Sequence, residues 1–238
     1  MNSGADTPSP EPEASARLAL ERVTKRWRGD EPPVLEGIDL SVPPATVALV
    51  VGRNGSGKTT LLRIAAGMID CDSGAVSLDG LRRRGNRRRY HRRVGFLSAG
   101  STDLYARLTV AQHLDYWARL ALVPAGERAK RVADALERFE LTALAGRRAE
   151  RTSMGQRQRL RLALALVHAP SLLLLDEPWN SLDAEGIELV DRTIADFTAS
   201  GGSAVVCIPT GHDQGVPPGT SVYRLEAGKL ERGELVAG

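Results

Sequence analysis

Apolar and polar residues alternate through "ARLALERV", "VLEGIDLSV" and the start of "TVALVV", with the turn-rich stretches "RGDEPP" and "PPA" between them. A period of two between turns predicts an antiparallel sheet from Ala16 to Val47. "TVALVV" then enters a glycine-rich loop and a helix, "TTLLRIAAGM", and short strands follow at "AVSLDG" and "RVGFL". From Thr109 to about Leu166 the period lengthens. "TVAQHLDYWARLAL", "GERAKRVADALERFEL" and "GQRQRLRLALALV" carry apolar residues at spacings of three and four, which predicts helices. Beyond them "SLLLLD" reads as a buried strand, "AEGIELVDRTIADFTAS" as a helix, "SAVVCI" as a strand and "SVYRLEAGKLERGELV" as a hairpin turning at Gly228. Strands separated by helices imply parallel pairing with right-handed crossovers, hence an α/β fold. No repeat of solenoid or propeller period is present.

Composition narrows this only slightly. The 238 residues suffice for one large domain, or one domain with a subdomain, and 42% apolar residues can fill a core. Few aromatics and many glycines suit a compact α/β chain. "MNSGADTPSPEPEASA" lacks the basic start and apolar run of a signal peptide, so residues 1–15 are expected to be a disordered leader and residues 16–238 the folded unit. No run approaches the roughly 18 apolar residues of a membrane span, which predicts a soluble, cytoplasmic protein. Cys71 and Cys207 are far apart without metal spacing and are expected to be buried free thiols.

The net charge of +3 does not by itself indicate a nucleic-acid partner, yet "LRRRGNRRRYHRRVGF" places eight arginines between Arg82 and Arg93. Such a run can face RNA, anionic lipid or a protein partner, or be the solvated side of a surface loop and short helix. The single aromatic between Arg82 and Arg93, Tyr90, does not make an interleaved series and no binding module is recognisable, so nucleic acid is not indicated.

The chemistry concentrates in three stretches. "GRNGSGKTT" matches G-x-x-x-x-G-K-[ST] between a strand and a helix. Its glycines let successive N–H groups turn toward phosphate oxygens, and the helix start adds a positive dipole end. The nucleotide-binding candidates are therefore Gly52, Asn54, Gly55, Ser56, Gly57, Lys58, Thr59 and Thr60. Lys58 would bridge the β- and γ-phosphates, and Thr59 would place its hydroxyl on Mg2+. "SLLLLDEPWNSLD" delivers Asp176 to the C-terminal edge of a parallel sheet, where it can hold Mg2+ through water. Glu177 would polarise the attacking water as general base. In "TSMGQRQRL", Ser153 and Gly155 at a helix start form an anion site, or else Ser153 is an ordinary helix cap.

In this order the motifs resemble those of the ATP-binding cassette ATPases, the nucleotide-binding subunits of ABC transporters, from about Ala16 to Val236. "GRNGSGKTT" stands as Walker A, "TSMGQ" as a variant of the LSGGQ signature, "LLLLDEP" as Walker B and "SLD" as the D-loop. The resemblance implies a P-loop NTPase core with a mostly parallel sheet, an N-terminal antiparallel β subdomain, and a helical signature subdomain inserted over about residues 99–160. It implies MgATP hydrolysis in a head-to-tail homodimer or heterodimer of cassettes, bound to a separate integral membrane permease on the inner face of the membrane. Ser153, Gly155 and Gln156 would then complete a partner's site, Asp183 would be the D-loop acid, and Trp27 would stack on adenine unless it serves in packing. "GSTDLYARLTVAQHLDYWARLAL" is similar to exporter-type subunits and favours export. Other readings are a soluble ABC ATPase of ribosomes or DNA and a weakly hydrolytic regulatory cassette.

Two positions depart from the family pattern. Ala99 stands where a glutamine is usual after "RVGFL", and Thr210 stands where the γ-phosphate histidine is usual after "SAVVCI", with His212 two residues later. A bulge containing Pro209 and Gly211 would let His212 serve as the second catalytic residue; otherwise it is a surface histidine. Thr152 and Met154 are milder departures within the signature.

Overall fold

The computed structural model describes residues 16–28, 31–99, 104–180, 182–211 and 219–233, so the expected leader lies outside the described residues. The chain begins with β1 (Leu18–Lys25), β2 (Leu35–Val42), β3 (Val47–Val51), α1 (Lys58–Ala65), β4 (Ser73–Leu78), β5 (Leu81–Arg82), α2 (Arg87–His91) and β6 (Val94–Leu97). Three longer helices follow, α3 (Val110–Leu120), α4 (Ala125–Arg138) and α5 (Met154–Leu166). It continues with β7 (Leu172–Asp176), α6 (Ala184–Ala199), β8 (Ser203–Ile208), β9 (Ser221–Glu226) and β10 (Lys229–Gly233).

Among the described residues the strands form two sheets, an antiparallel one in the order β2-β1-β4-β5 and a mixed one in the order β10-β9-β3-β8-β7-β6. Every pairing in the second is parallel except that of β10 with β9. This corrects the expectation that the antiparallel pattern reaches into "TVALVV", because β3 pairs in parallel with β8 and β9. The reason is burial on both faces: Val47, Ala48, Leu49 and Val50 are all inside, as suits a central parallel strand.

Alternate residues of the parallel strands serve two separate cores. Val47, Leu49, Leu173, Leu175, Ala204 and Val206 join Leu114 of α3, Leu160 of α5 and Ile194 of α6. Ala48, Val50, Leu172, Leu174, Val205 and Cys207 join Leu62 of α1 and Leu18 of the antiparallel sheet. The parallel sheet is thus a middle layer, and truncating one of its leucines to alanine costs about 2–5 kcal/mol.

Helix α5 lies close against the edge strand β6. A Cβ on Gly95 would sit 2.3 Å from the carbonyl oxygen of Ala165, so only glycine allows this approach. The hairpin predicted at Gly228 is present, with Ala227 and Gly228 both at positive φ. Both cysteines are free, but Cys71 is half-buried, not buried as expected, because it lies in the turn before β4. No helix among the described residues is long and apolar enough to cross a membrane.

Candidate nucleotide site

Strand β3 ends at the loop Gly52–Gly57, and α1 begins at Lys58. The loop is tight: a Cβ on Gly52 would lie 2.6 Å from both the Leu225 carbonyl oxygen and Ser56 Oγ. Gly57 has φ 105°, open only to glycine without strain, and faces the Val34 carbonyl. Lys58 is buried, and its ammonium donates to the carbonyl oxygens of Gly52 at 2.7 Å and Arg53 at 3.1 Å. Ser56 Oγ is buried with no hydrogen-bond partner among the described residues. Asn54 and Gly55 are exposed at the tip, and Thr60 is buried in the first turn of α1. A buried ammonium, an orphaned hydroxyl and a helix start with no side-chain cap or acid fit a phosphate group.

The Walker motifs meet in one hydrogen bond. Thr59 Oγ1 donates to Asp176 Oδ2 at 2.7 Å, across 117 positions of sequence. Strands β3 and β7 flank β8 in parallel, which brings their C-terminal ends to the same edge. Asp176 is 1% exposed at the end of its strand. Among the described residues no group of three His, Cys, Asp or Glu side chains could hold a metal. One hydroxyl and one carboxylate suit a divalent cation that arrives with phosphate and water oxygens.

Glu177 has left-handed backbone, φ 50°, and its N–H donates to the Cys207 carbonyl at 2.9 Å. Such a conformation is costly for a non-glycine residue and is held here by the neighbouring strand. Burial pushes the Cys207 thiol far above its usual range, and the Asp176 carboxylate adds to the effect. This cysteine is an inert wall beneath the site.

Ser153 caps α5. Its hydroxyl accepts from the Gln156 N–H at 3.2 Å, while Gln156 Oε1 accepts from the Ser153 N–H at 3.1 Å. The helix-cap reading is therefore realised, and among the described residues no hydrogen bond joins Ser153 to the P-loop of the same chain. Gly155 faces open space, and Met154 beside it is 67% exposed. Asp183 likewise caps α6 by accepting from the Gly186 N–H at 2.9 Å.

Trp27 is 56% exposed, with the Lys25 ammonium 5.6 Å from its ring centre. Ala99 is exposed, and Thr210 lies in the turn after β8. His212 is outside the described residues, as is Ser181 of "SLD".

The family model described as ABC transporter matches residues 35–180. The chain belongs to the ABC transporter ATP-binding family. This cassette is 38% identical over 179 residues to the cytochrome c biogenesis ATP-binding export protein CcmA of Xanthomonas campestris pv. campestris strain 8004, covering 74% of this chain and 80% of that protein. It is 33% identical over 186 residues to the uncharacterized ABC transporter ATP-binding protein YhaQ of Bacillus subtilis strain 168, covering 77% of this chain but only 60% of YhaQ. It is 35% identical over 167 residues to the Fe(3+) ions import ATP-binding protein FbpC of Pasteurella multocida strain Pm70, covering 70% of this chain and 47% of that protein. Its fold matches a dimeric post-hydrolysis ATP-binding cassette bound to ADP and Pi, with TM-score 0.81, 25% identity, and 93% and 99% of the two chains covered.

Two further parts of the cassette were not legible in its motifs. Gln158 and Arg161 of α5 bridge the signature helix to its neighbours. Gln158 Nε2 donates to the Pro178 carbonyl at 2.8 Å, Arg161 donates to Gln158 Oε1 at 2.9 Å, and Arg161 also donates to the Ser98 carbonyl. Beside them a cavity of about 300 Å³ is lined by Ala99, Met154 and Glu177. A second groove, about 580 Å³, runs between α1, β6 and α3 and is lined by Arg63, Met68, Phe96, Tyr105 and Trp117. Tyr105, Tyr116 and Trp117 cluster there with ring centres 5.5–6.0 Å apart. Met68 and Tyr105 are each more than half exposed.

Proposed function

We propose that this chain hydrolyses ATP to ADP and phosphate and powers export through a separate membrane permease, closing head to tail on a second cassette when ATP is bound. The observation that carries the reading is the Thr59–Asp176 hydrogen bond beside the buried Lys58 ammonium. In this assignment Lys58 would leave the Gly52 and Arg53 carbonyls for phosphate oxygens, and Thr59 and Asp176 would be the residues that hold Mg2+. Mg2+ neutralises phosphate charge when bound. Glu177 accepts the proton of the attacking water, and His212 assists. Trp27 offers an exposed face to adenine.

Ser153, Gly155 and Gln156 act on the nucleotide of the second cassette, and Asp183 lies at the same interface. The exposed Ser153 and the open space in front of Gly155 at a helix start support this. Contacts from both subunits to one γ-phosphate favour closure, and their loss on hydrolysis favours opening. The groove with Met68, Tyr105 and Trp117 receives the permease, which holds the cassette at the inner face of the membrane; nucleic acid has no part in the cycle. Relatives carry both export and import names, and the exporter-like segment from Gly100 to Leu122 supports export. Ala99 favours a second reading, a weakly hydrolytic cassette paired with a more complete one.

The test is phosphate release from MgATP by the purified chain, alone and reconstituted with a candidate permease, a polytopic membrane protein found by co-purification with the chain. Release stimulated by that protein is expected. ATP binding without release favours the second reading, and stimulation by RNA instead of the membrane protein overturns the transport reading.

A further inference from the structure

The arginine run remains outside this function. Arg82, Arg84, Arg87, Arg88, Arg89 and Arg92 are exposed around α2. Arg83 and Arg93 pair with Asp70 and Asp79, but among the described residues no acid lies within ion-pair reach of the other six. The segment is firmly seated. Tyr90 is fully buried and its hydroxyl donates to the Ala65 carbonyl at 2.6 Å, while Arg83 packs on Gly67. The backbone therefore holds these charges close together, and an anionic surface brought against them would relieve their mutual repulsion.

Three observations choose the anion. Guanidinium groups match phosphate oxygens in paired hydrogen bonds, and six on one short segment suit a dense phosphate surface better than a single ion. The aromatic of the segment, Tyr90, is buried, so no stacking platform for RNA bases is offered. The patch also adjoins the groove assigned above to the permease: Gly67 lies under Arg83 and Tyr90, and the next residue, Met68, lines that groove. A permease seated there brings a bilayer to the same side. We infer that the exposed arginines of residues 82–92 bind the anionic phospholipid headgroups of the membrane beside the permease. The placement rests on the transport reading, but the binding itself belongs to this chain alone.

The test sediments the full chain with vesicles of phosphatidylcholine alone or with about one third phosphatidylglycerol, at low and high salt. At least about a hundredfold greater partition onto the anionic vesicles is expected at low salt, falling as salt is raised. Each arginine near such a surface contributes about fivefold, so combining Arg84→Gln, Arg87→Gln and Arg88→Gln should lower partition about a hundredfold. The variant should melt no lower than wild type and keep its phosphate release. Equal partition onto both vesicles, or unchanged partition of the variant, overturns the inference. So does displacement by millimolar glycerol phosphate, which marks a free-phosphate site, or tighter binding to single-stranded RNA than to vesicles. If neither protein releases phosphate, the ATPase reading fails while the vesicle result still stands.

Discussion

The side-chain amide of Gln158 donates to the backbone carbonyl of Pro178 at 2.8 Å, tying the helix that starts beside Ser153 to the loop that starts at Glu177. Through Arg161 the same amide group reaches the Ser98 carbonyl, next to Ala99. Gln158→Ala leaves a buried carbonyl unpaired and removes one acceptor from Arg161, at a cost of about 1–3 kcal/mol in stability. It should lower kcat with little change in KM for ATP, because the P-loop is untouched. Gln158→Glu keeps the acceptor for Arg161 but not the donor to Pro178, so it should recover only part of the rate. Steady-state phosphate release decides: a wild-type kcat in Gln158→Ala removes the link from the catalytic cycle.

Lys58→Ala tests the P-loop directly. The ammonium is buried and bonded only to two neutral carbonyls among the described residues, which phosphate oxygens would replace. Charged hydrogen bonds contribute about 1.5–3 kcal/mol, so ATP affinity should fall by about tenfold to more than a hundredfold. Titration calorimetry measures this, and unchanged affinity contradicts the assignment.

Ser153 has a visible role as a cap and a proposed one across the dimer, and two substitutions separate them. Ser153→Ala loses the cap, about 1 kcal/mol, and weakens any contact with a second nucleotide. Ser153→Asp keeps a good cap while setting a negative charge against the γ-phosphate. In a Glu177→Gln background, which should retain ATP and accumulate as a dimer, Ser153→Asp should melt like its parent yet remain monomeric in MgATP. Light scattering after gel filtration reads the outcome. A Ser153→Asp dimer as abundant as the parent's would confine Ser153 to capping.

These residues show where sequence was informative. Strands β7 and β8 were legible because both their faces are buried and leave unbroken apolar runs. The P-loop and Asp176 were legible because their chemistry requires fixed local spacing. The Gln158–Pro178 bond was not, since Gln158 sits between Arg157 and Arg159 and its partner is a backbone atom on another element. The Tyr105, Tyr116 and Trp117 cluster was hidden similarly: only the turn before α3 brings Tyr105 back onto the helix. The start of "TVALVV" misled because apolar runs on central and half-covered strands look alike over a few residues.

Acid sensitivity follows from His113. The ring is fully buried, accepts at Nε2 from the Tyr105 N–H at 2.9 Å, and donates from Nδ1 to the Thr109 carbonyl at 2.9 Å. Those partners admit only the neutral form, because a proton on Nε2 would meet another N–H. Burial holds its pKa below the usual histidine value, partly offset by the Thr109 bond. His168, bonded to the Val94 carbonyl, is lowered by burial as well, and so is His91, with Arg83 and Arg87 adding to the effect. In each case the folded pKa lies below the unfolded one, so as pH falls through about 6.5 the unfolded chain takes up protons first. The stability contributed by the neutral rings is complete above that pH and is lost as pH falls toward the folded values. The melting temperature should therefore be nearly flat from about pH 8 to pH 7 and decline toward about pH 5.5. Combining His113→Gln and His168→Gln should lower the melting temperature at pH 8 but shrink the decline, because two of the groups that take up protons on unfolding are gone. Thermal scans across pH check both parts, and a double variant with an undiminished acid decline would place its origin elsewhere.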